Sequence, residues 1–568
     1  MNQEFKNLDK IHKIGVLIDD YYLSKFEKEN LELLKNSGLN IELYSIFHDY
    51  KKENLIQAIN SKYKQSGLIK LFEITFFKIL LKIEKEILKI FYPKIKNIDN
   101  KHLIKKDFFN KIINIKPIFS KNKLLVEYSK KDVELIKNEK LDIIIRGNAS
   151  GIFKGEMLKM SKFGIISFHH GDNIWNKGGP PGFWEVVLKK PSTGFIIQIL
   201  THELDNGKIV FKGECATQKT FLLNQYNVFC ESNNFISKSI VKILKGQKIN
   251  SAGTSTINNN SFMKSPSFYF IFKYIFLTLK LFFIIFFQKF ILKKQHIWEI
   301  SYDRNYFDKI DYKNIKKIKN LPGHFFADPF VLERNKKHYV FVEDYIKKDS
   351  KAVISVIEID DKDNHKHFTN IIEEDFHLSF PFIFEYENDL FMVPESSENK
   401  DIRLYKCLKF PNKWIYCYNL ISNIHAADTI IFKKSNLYWL LTTTSNNNDY
   451  SSQLNIFYSD NPLSQSWKAH KNNPVKYDIS NGRNGGLIIK NNGELIRAVQ
   501  TFDYNKYGQN QYGRKINLNS IINISETDFN ESFKYTINPY FKKNILGTHT
   551  INSTNNFTVI DYTFYEKL

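Results

Sequence analysis

The run Gly164-Ile-Ile-Ser-Phe-His169-His170-Gly-Asp-Asn-Ile-Trp-Asn-Lys-Gly178-Gly179-Pro180-Pro-Gly-Phe-Trp184 decides how the first half of the chain is read. A short apolar stretch reads as a buried strand, and it stops on His169 where a Gly/Pro-rich loop begins. Downstream, Ser192-Thr193-Gly194-Phe-Ile-Ile-Gln reads as another strand and Glu203-Leu-Asp205-Asn-Gly207 as a turn. A strand-end histidine facing a turn aspartate occupies the crevice where α/β folds place acid–base groups. The same pattern also reads as a His–Asp pair that pins two loops.

Working outward, Ile14-Gly-Val-Leu-Ile-Asp19 is a buried-strand candidate, followed by a helix to about Lys35, a stop at Ser37-Gly38 and a strand near Ile41–Phe47. Leu141-Asp-Ile-Ile-Ile145, Gly164–Phe168, Gly194–Leu200 and Lys208–Lys212 continue the strands, with helices near Pro181–Lys190 and 225–245. This alternation predicts an α/β domain of Rossmann type over 1–250. Within it, 48–125 reads as a basic helical insertion, because Lys78, Lys82, Lys85 and Lys89 recur opposite Phe76, Phe77, Leu80, Leu81 and Leu88.

The Ser/Thr/Asn-rich tract Ser251–Ser261 predicts a linker. Phe268–Leu292 is almost wholly Phe, Ile, Leu and Tyr, long enough to span a membrane, yet Lys273 and Lys280 share one helical face. Each lysine at mid-bilayer costs roughly 2.5–3.5 kcal/mol. The expectation is therefore an in-plane amphipathic helix in a 251–296 connector, with a true span or a buried inter-domain helix as the other readings.

The 568 residues exceed one hydrophobic core, and ordinary hydrophobic and charged fractions exclude whole-chain disorder. Lys and Arg number 82 against 60 Asp and Glu, a net charge of +22. Such a balance favours acidic partners or reflects compositional drift toward Lys, Ile and Asn. Four cysteines without CxxC spacing argue against a disulfide scaffold or zinc ribbon and for a reducing compartment. No signal peptide is visible ahead of the first strand. No metal site, GxGxxG, Walker loop or basic–aromatic RNA motif is found, so no nucleic-acid partner is expected.

From 297 to 568 one phrase recurs: a polar residue, an apolar strand, a turn and a second apolar strand. It starts at Asp328, Phe380, Asp428, Asn484 and His549, with spacings of 48 to 65 residues. Hairpins at that period predict a five-bladed β-propeller whose inner strands bring Asp328, Asp428, Asn484 and His549 around one axis. Paired carboxylates there can run glycoside chemistry, hydrogen-bond a sugar, or merely cap turns.

The first half resembles the folate-dependent formyltransferases, which include methionyl-tRNA and sugar N-formyltransferases. The matching residues are Ser167-Phe-His169, Gly178-Gly179-Pro180, Thr193-Gly194 and Leu204-Asp205-Asn-Gly207. The resemblance implies catalytic roles for His169 and Asp205, with Ser167 standing where the family has its Asn. It also implies 10-formyltetrahydrofolate as formyl donor, bound about Gly178, Gly179, Pro180, Thr193, Gly194 and Gly207. A lost oxyanion donor costs about 10²–10³ in rate, so Ser167 puts turnover at stake.

The second half resembles arabinanase- and fructosidase-type propellers, and more closely the N-terminal domain of the glucosamine inositolphosphorylceramide transferases. Phe326-Ala-Asp328-Pro-Phe, Phe341-Val-Glu343, Val393-Pro-Glu395-Ser, Ala427-Asp428-Thr and Thr548-His549-Thr-Ile-Asn-Ser carry it. These resemblances imply formyl transfer to an amine of a nucleotide- or lipid-linked sugar, in surface polysaccharide or glycolipid synthesis. Asp328, Glu343, Glu395, Asp428, Asn484 and His549 would bind the glycan. The implied setting is cytoplasmic, peripheral on the inner membrane face. The rival readings are a glycan-binding scaffold with a degenerate folate domain, or glycosyltransferase- or hydrolase-type chemistry in the propeller.

Overall fold

A computed structural model describes residues 10–50, 55–97, 100–120, 125–169, 171, 179–202, 207–247, 265–491, 493–539, 541–542 and 544–567. The chain forms an α/β unit, Met1–Thr278, and a β-rich unit, Leu279–Leu568.

The first unit is built on a seven-stranded sheet. Its parallel part orders Lys111–Ile115, Ile41–His48, His12–Ile18, Ile143–Arg146 and Ile165–His169 side by side. Ser192–Ile199 and Lys208–Ala216 add on antiparallel beyond Ile165–His169. The central strands are near-continuous Ile, Leu and Val, as strands covered on both faces require. Ser24 caps the helix Lys25–Lys35 in a reciprocal box with Glu27.

The stretch expected as a helical insertion contains the long helix Leu55–Phe91, broken at Gly67, but also supplies the sheet edge Lys111–Ile115. Only Ile113 and Ile115 of that strand are buried, which is why a short, half-apolar run passed as part of the insertion. The expected final helix is two helices, Phe221–Ser232 and Phe235–Leu244. The expected linker Ser251–Ser261 lies outside the described residues.

The second unit contains five antiparallel sheets of four or five strands. Each expected start falls at the head of a sheet's first strand: His324–Arg334, Ser379–Tyr386, Ala426–Lys434, Arg483–Asn491 and, two residues on, Ile551–Thr554. These leading strands contact one another in succession, and Ile551–Thr554 contacts His324–Arg334 to complete the circuit. One sheet joins the two ends of the unit, pairing Lys294–Asp303 with Phe557–Lys567 from Lys294↔Lys567 to Asp303↔Thr558.

A repeated bulge sets the geometry of the leading strands. The ladder slips between Ala327 and Phe330, Ser379 and Phe382, Ala427 and Ile430, and Asn484 and Ile488. Asp328, Phe380 and Asp428 sit in these bulges with φ of 48°, 45° and 52°. The left-handed conformation costs roughly 1–2 kcal/mol per L-residue, and at two of the three positions a carboxylate accepts the backbone N–H and offsets part of that cost. Asp328 N donates to Asp561 Oδ2 at 3.1 Å, and Asp428 N to Glu395 Oε2 at 3.3 Å.

The fourth bulge is made by Gly485 and Gly486. A Cβ on Gly486 (φ 141°) would lie 2.0 Å from the Ile551 carbonyl oxygen, so neighbouring leading strands approach closely only without a side chain. Gly486→Ala should cost about 3 kcal/mol or more in urea unfolding of the full chain. Gly493→Ala, at φ +80° with nothing within 4 Å, should cost only about 1–2 kcal/mol. Equal losses would remove the packing argument.

Candidate functional site

In the α/β unit the four strands ending at Ile18, His48, Arg146 and His169 run parallel, so their carboxyl ends lie on one edge. His169 is the half-buried last residue of its strand, and Ser167, two positions earlier, is buried. Ser167 lines a cavity of about 320 Å³ with Phe26, Ile145, Phe168 and Phe229. Asp205 and Gly178 lie outside the described residues, so the expected pairing of Asp205 with His169 is not part of this geometry.

The remaining expected folate residues divide by role. Thr193 is buried and bonded to Thr217 and Asn224, whose amide also donates to the Gly182 carbonyl at 2.8 Å. Its hydroxyl thus fastens a strand to a helix. A Cβ on Gly207 would meet Gln198 Oε1 and the Ile199 carbonyl at 2.7 Å, so Gly207 is required by packing. Gly194 pairs with Glu214 within the sheet, and Gly179 and Pro180 flank the entry to the helix Phe183–Val187.

The same edge holds a polar cluster that motif reading missed. His48 Nδ1 lies 2.6 Å from Asp19 Oδ1 and Nε2 2.8 Å from the Tyr128 hydroxyl, while Tyr50 donates to Asp19 Oδ2 at 3.1 Å. Burial would raise the Asp19 carboxyl, but hydrogen bonds from His48 and Ser150 bring it below the usual range. The signal was present: two parallel strands in register at Ile18↔Phe47 are each followed by a polar residue, Asp19 and His48.

In the β-rich unit the structure brings the expected residues into one neighbourhood, in which Asp328 meets His549 and Asp428 meets Glu395 and Asn484. Asp328 is 5% exposed, Asp428 1% and His549 3%. His549 Nδ1 is 2.6 Å from Asp561 Oδ2, Nε2 is 3.4 Å from Asp328 Oδ1, and Trp298 stacks on the ring at 3.8 Å. Thr550 donates to Asp328 Oδ1 at 2.7 Å. Asp428 Oδ2 accepts from Arg483 Nε at 2.5 Å and Gln500 Nε2 at 2.9 Å. Asp428 Oδ1 is buried with no hydrogen-bond partner among the described residues. Glu395, half-buried, accepts from Asp428 N and Ser397. Glu343, also half-buried, pairs with His377 at 3.3 Å.

Asn484 departs from its expected role. It is fully buried, donates to the Asp428 and Leu441 carbonyls and accepts from Arg497. Its amide is consumed in holding the Asp428 bulge, which leaves nothing for a ligand. Arg483, Asp561, His377, Trp298 and Tyr512 belong to the cluster and were not foreseen. Tyr512 lies over the Arg483 guanidinium at 4.7 Å.

Electrostatics make this centre a store of protons. Burial pushes the Asp328 and Asp428 carboxyls up to about 7, against the lowering charges of His549 and Arg483 respectively. Burial would lower His549, but the charges of Asp561 and Asp328 raise it to about 9. His377 is likewise raised to about 9 against burial, by its hydrogen bond to Glu343 and nearby glutamate charges. Ligand atoms of Asp328, His549 and Asp561 lie within 4.8 Å of one another, close enough to hold a cation. Both imidazole nitrogens nevertheless face carboxylates, the arrangement of an imidazolium between two counter-charges.

The site therefore brings together buried carboxyls, half-buried glutamates and an aromatic ring on a guanidinium. This is a multidomain protein, an α/β region followed by a β-rich region organised about a buried acid–imidazolium centre. Residues 313–553 match the family model described as glucosamine inositolphosphorylceramide transferase 1, N-terminal. The glucosamine inositolphosphorylceramide transferase 1 of Oryza sativa subsp. japonica is 33% identical over 215 residues, covering 37% of this chain and 28% of the rice protein. The Arabidopsis thaliana protein of that name is 33% identical over 217 residues, covering 37% of this chain and 27% of its own. The chain thus spans under a third of the length of these relatives. Among solved structures, a Shewanella sugar N-formyltransferase aligns at TM-score 0.27 and 15% identity, over 44% of this chain and 76% of its own. An exo-1,5-alpha-L-arabinanase from a bovine ruminal metagenomic library aligns at TM-score 0.31 and 13% identity, over 44% and 95%.

The pH dependence follows from the signs. His549, raised from 6.5 to about 9, stabilises the fold fully below pH 6.5 and loses that contribution as pH rises through 9. The raised carboxyls act in the same direction at lower pH, losing their contribution through about 7. Thermal unfolding of the full chain should show the β-rich unit losing on the order of 2 kcal/mol between about pH 6.5 and 9. His549→Gln should reduce that slope, leaving the part that His377, also raised to about 9, contributes. A slope unchanged by this variant would remove the imidazolium assignment.

Proposed function

We propose that this chain is a transferase of glycolipid or polysaccharide synthesis. Its α/β unit moves a formyl group from 10-formyltetrahydrofolate to the amine of a sugar, and its β-rich unit, read as a five-bladed propeller, holds the glycan. The observation that carries the reading is the strand-end His169 two positions after Ser167, which itself lines the cavity of about 320 Å³, at the carboxyl edge of the parallel strands. A cavity of that size, walled by Phe26, Phe168 and Phe229, suits a flat ring system.

In this reading the amine attacks the formyl carbon, and the tetrahedral oxyanion is stabilised by His169 with the Ser167 hydroxyl as second donor. Asp205 takes up the amine proton, and as the carbonyl re-forms the bond between the formyl carbon and N10 breaks, with that proton passed to N10 so that tetrahydrofolate departs neutral at that nitrogen. The relatives' printed name, a transferase of glucosamine to inositolphosphorylceramide, supports an amino sugar on a lipid as the acceptor class.

A second reading places glycosyl chemistry in the β-rich unit, favoured by the buried Asp428 with its unpartnered Oδ1 and a carboxyl near 7. Such a group can hold a proton at neutral pH, as a general acid must.

One assay separates the two. Incubation with 10-formyltetrahydrofolate and a panel of amino-sugar nucleotides should yield N-formyl product. His169→Ala and Asp205→Asn should each lower turnover by about 10² or more. Asp328→Asn and Asp428→Asn should weaken glycan binding by about 1 kcal/mol each in calorimetry while sparing formyl transfer. Turnover that survives both N-terminal variants but falls in Asp428→Asn would move the chemistry to the second unit.

A further inference from the structure

Two helices carry apolar stripes that are largely exposed in the described structure. On Leu55–Phe91, Phe72, Phe76, Ile79, Ile83, Ile87 and Ile90 recur at steps of three and four, and Ile79, Ile83 and Ile90 are 53%, 54% and 74% exposed. The side of this helix that does pack is different, formed by Glu73, Phe77, Glu84 and Leu88. Lys78, Lys82, Lys85 and Lys89 form a third side. A helix with a buried face, an exposed apolar stripe and a lysine stripe has an unpartnered face by construction.

The second helix, Phe268–Phe286, repeats the arrangement: Tyr269, Phe272, Phe276, Leu279, Phe283 and Phe286 recur at steps of three and four and are all exposed. Of its residues only Ile271 and Tyr274 are buried. The first turns of this helix lie against the other. Glu73 accepts from Phe268 N at 2.9 Å, Phe76 contacts the Phe268 and Phe272 rings, and Tyr274 donates to Glu84 at 2.6 Å. Phe76 belongs to the first stripe and Phe272 to the second, so the two stripes meet at this contact.

We infer that these two helices together form a docking surface for an anionic lipid bilayer, lying in its interface rather than crossing it. Charge selects this occupant over a second copy of the chain. The segment 265–292 contains no acidic residue, and Lys273 and Lys280 border its stripe. Self-association along the stripe would bring lysine toward lysine, whereas helix pairs that associate normally oppose Lys with Glu. Lysines bordering an apolar face instead reach anionic headgroups while the face enters the acyl boundary.

Geometry selects an in-plane pose over a span. Phe270, Ile271 and Tyr274 are fastened to the α/β unit, through Trp184 at 4.9 Å, Phe183 at 5.4 Å and the Phe221 N–H, which donates to the Tyr274 hydroxyl. The helical residues beyond them, 276–291, measure about 24 Å, short of the ~30 Å hydrocarbon core. This docking does not depend on which reaction the protein catalyses.

The test uses the full chain with vesicles of phosphatidylcholine alone, or of phosphatidylcholine and phosphatidylglycerol in equal parts. The protein should sediment with the mixed vesicles and bind neutral ones about tenfold more weakly. Two sets of exposed substitutions, Phe72→Ser with Ile79→Ser and Ile83→Ser, and Phe276→Ser with Phe283→Ser, should each weaken binding by about tenfold or more. Far-UV circular dichroism should remain that of the parent chain. Lys78→Glu with Lys82→Glu should abolish the preference for the mixed vesicles. The inference is overturned if the first set leaves binding unchanged, or if the substitutions dissolve a dimer while vesicles never bind. Protection of the chain beyond residue 292 from protease by sealed vesicles would also overturn it.

Discussion

In the β-rich unit a single carboxylate, Asp561, collects three backbone N–H groups, those of His549, Thr550 and Asp328, and lies 2.6 Å from the His549 ring as its ion-pair partner. Such a charge is tolerable in a dry interior only when its lone pairs are filled and a counter-charge is close. Asp561 lies on the closing strand Phe557–Lys567, His549 just ahead of Ile551–Thr554, and Asp328 in the bulge of His324–Arg334. Satisfying one carboxylate therefore ties three strands together, including the strand that joins the ends of the unit. The raised His549 and Asp328 follow from the same enclosure, since burial and charge cannot be separated here.

A second buried charge repeats the principle. Arg497 is fully buried, meets Glu531 through Nε at 2.5 Å and Nη2 at 2.8 Å, and donates to Asn484 and the Asn481 carbonyl. Asn484 in turn holds the Asp428 bulge. A chain of support thus runs from a guanidinium remote from Asp428 to the carboxyl that faces Arg483. Groups held this way have little freedom to reorient, which is what a recognition or acid–base site requires. The α/β unit manages its interior differently. Its sheet centre is mainly aliphatic with a few buried hydroxyls such as Ser45 and Ser167, and Asp19, His48 and His169 sit at the strand ends.

Much of the architecture was legible from pattern. The apolar runs ending at Asp19, Phe47, Ile145 and Phe168 were strands within a residue or two, because a strand buried on both faces leaves an uninterrupted aliphatic signature. The five starts fell on or just before an edge strand of five different sheets, since each repeats strand and hairpin and four of the five open on a polar residue. The edge strand Lys111–Ile115 was lost in the insertion because an edge buries only one face and advertises itself weakly. Asp328, Asp428 and His549 could be singled out by their place in the repeat. Arg483, Asp561 and Tyr512 could not, because nothing local distinguishes a ligand of a buried charge from any other polar strand residue.

Sequence by itself determined an α/β half followed by a β-rich half with periodic hairpins, set by spacing and side-chain polarity along short windows, whereas strand order and direction came from the fold. Sequence also determined that two segments near 68–92 and 268–292 carry apolar stripes edged with lysine. Tertiary structure alone decided which polar residues share a centre, and with what charge. Asp328 and Asp561 are separated by more than two hundred residues, yet one accepts the other's backbone N–H at 3.1 Å. It also decided that Asn484 serves the scaffold and that the apolar stripes face outward. The physical reason is that burial, hydrogen-bond saturation and proton affinity depend on what encloses a group. That enclosure comes from strands distant in the chain, which no local pattern encodes.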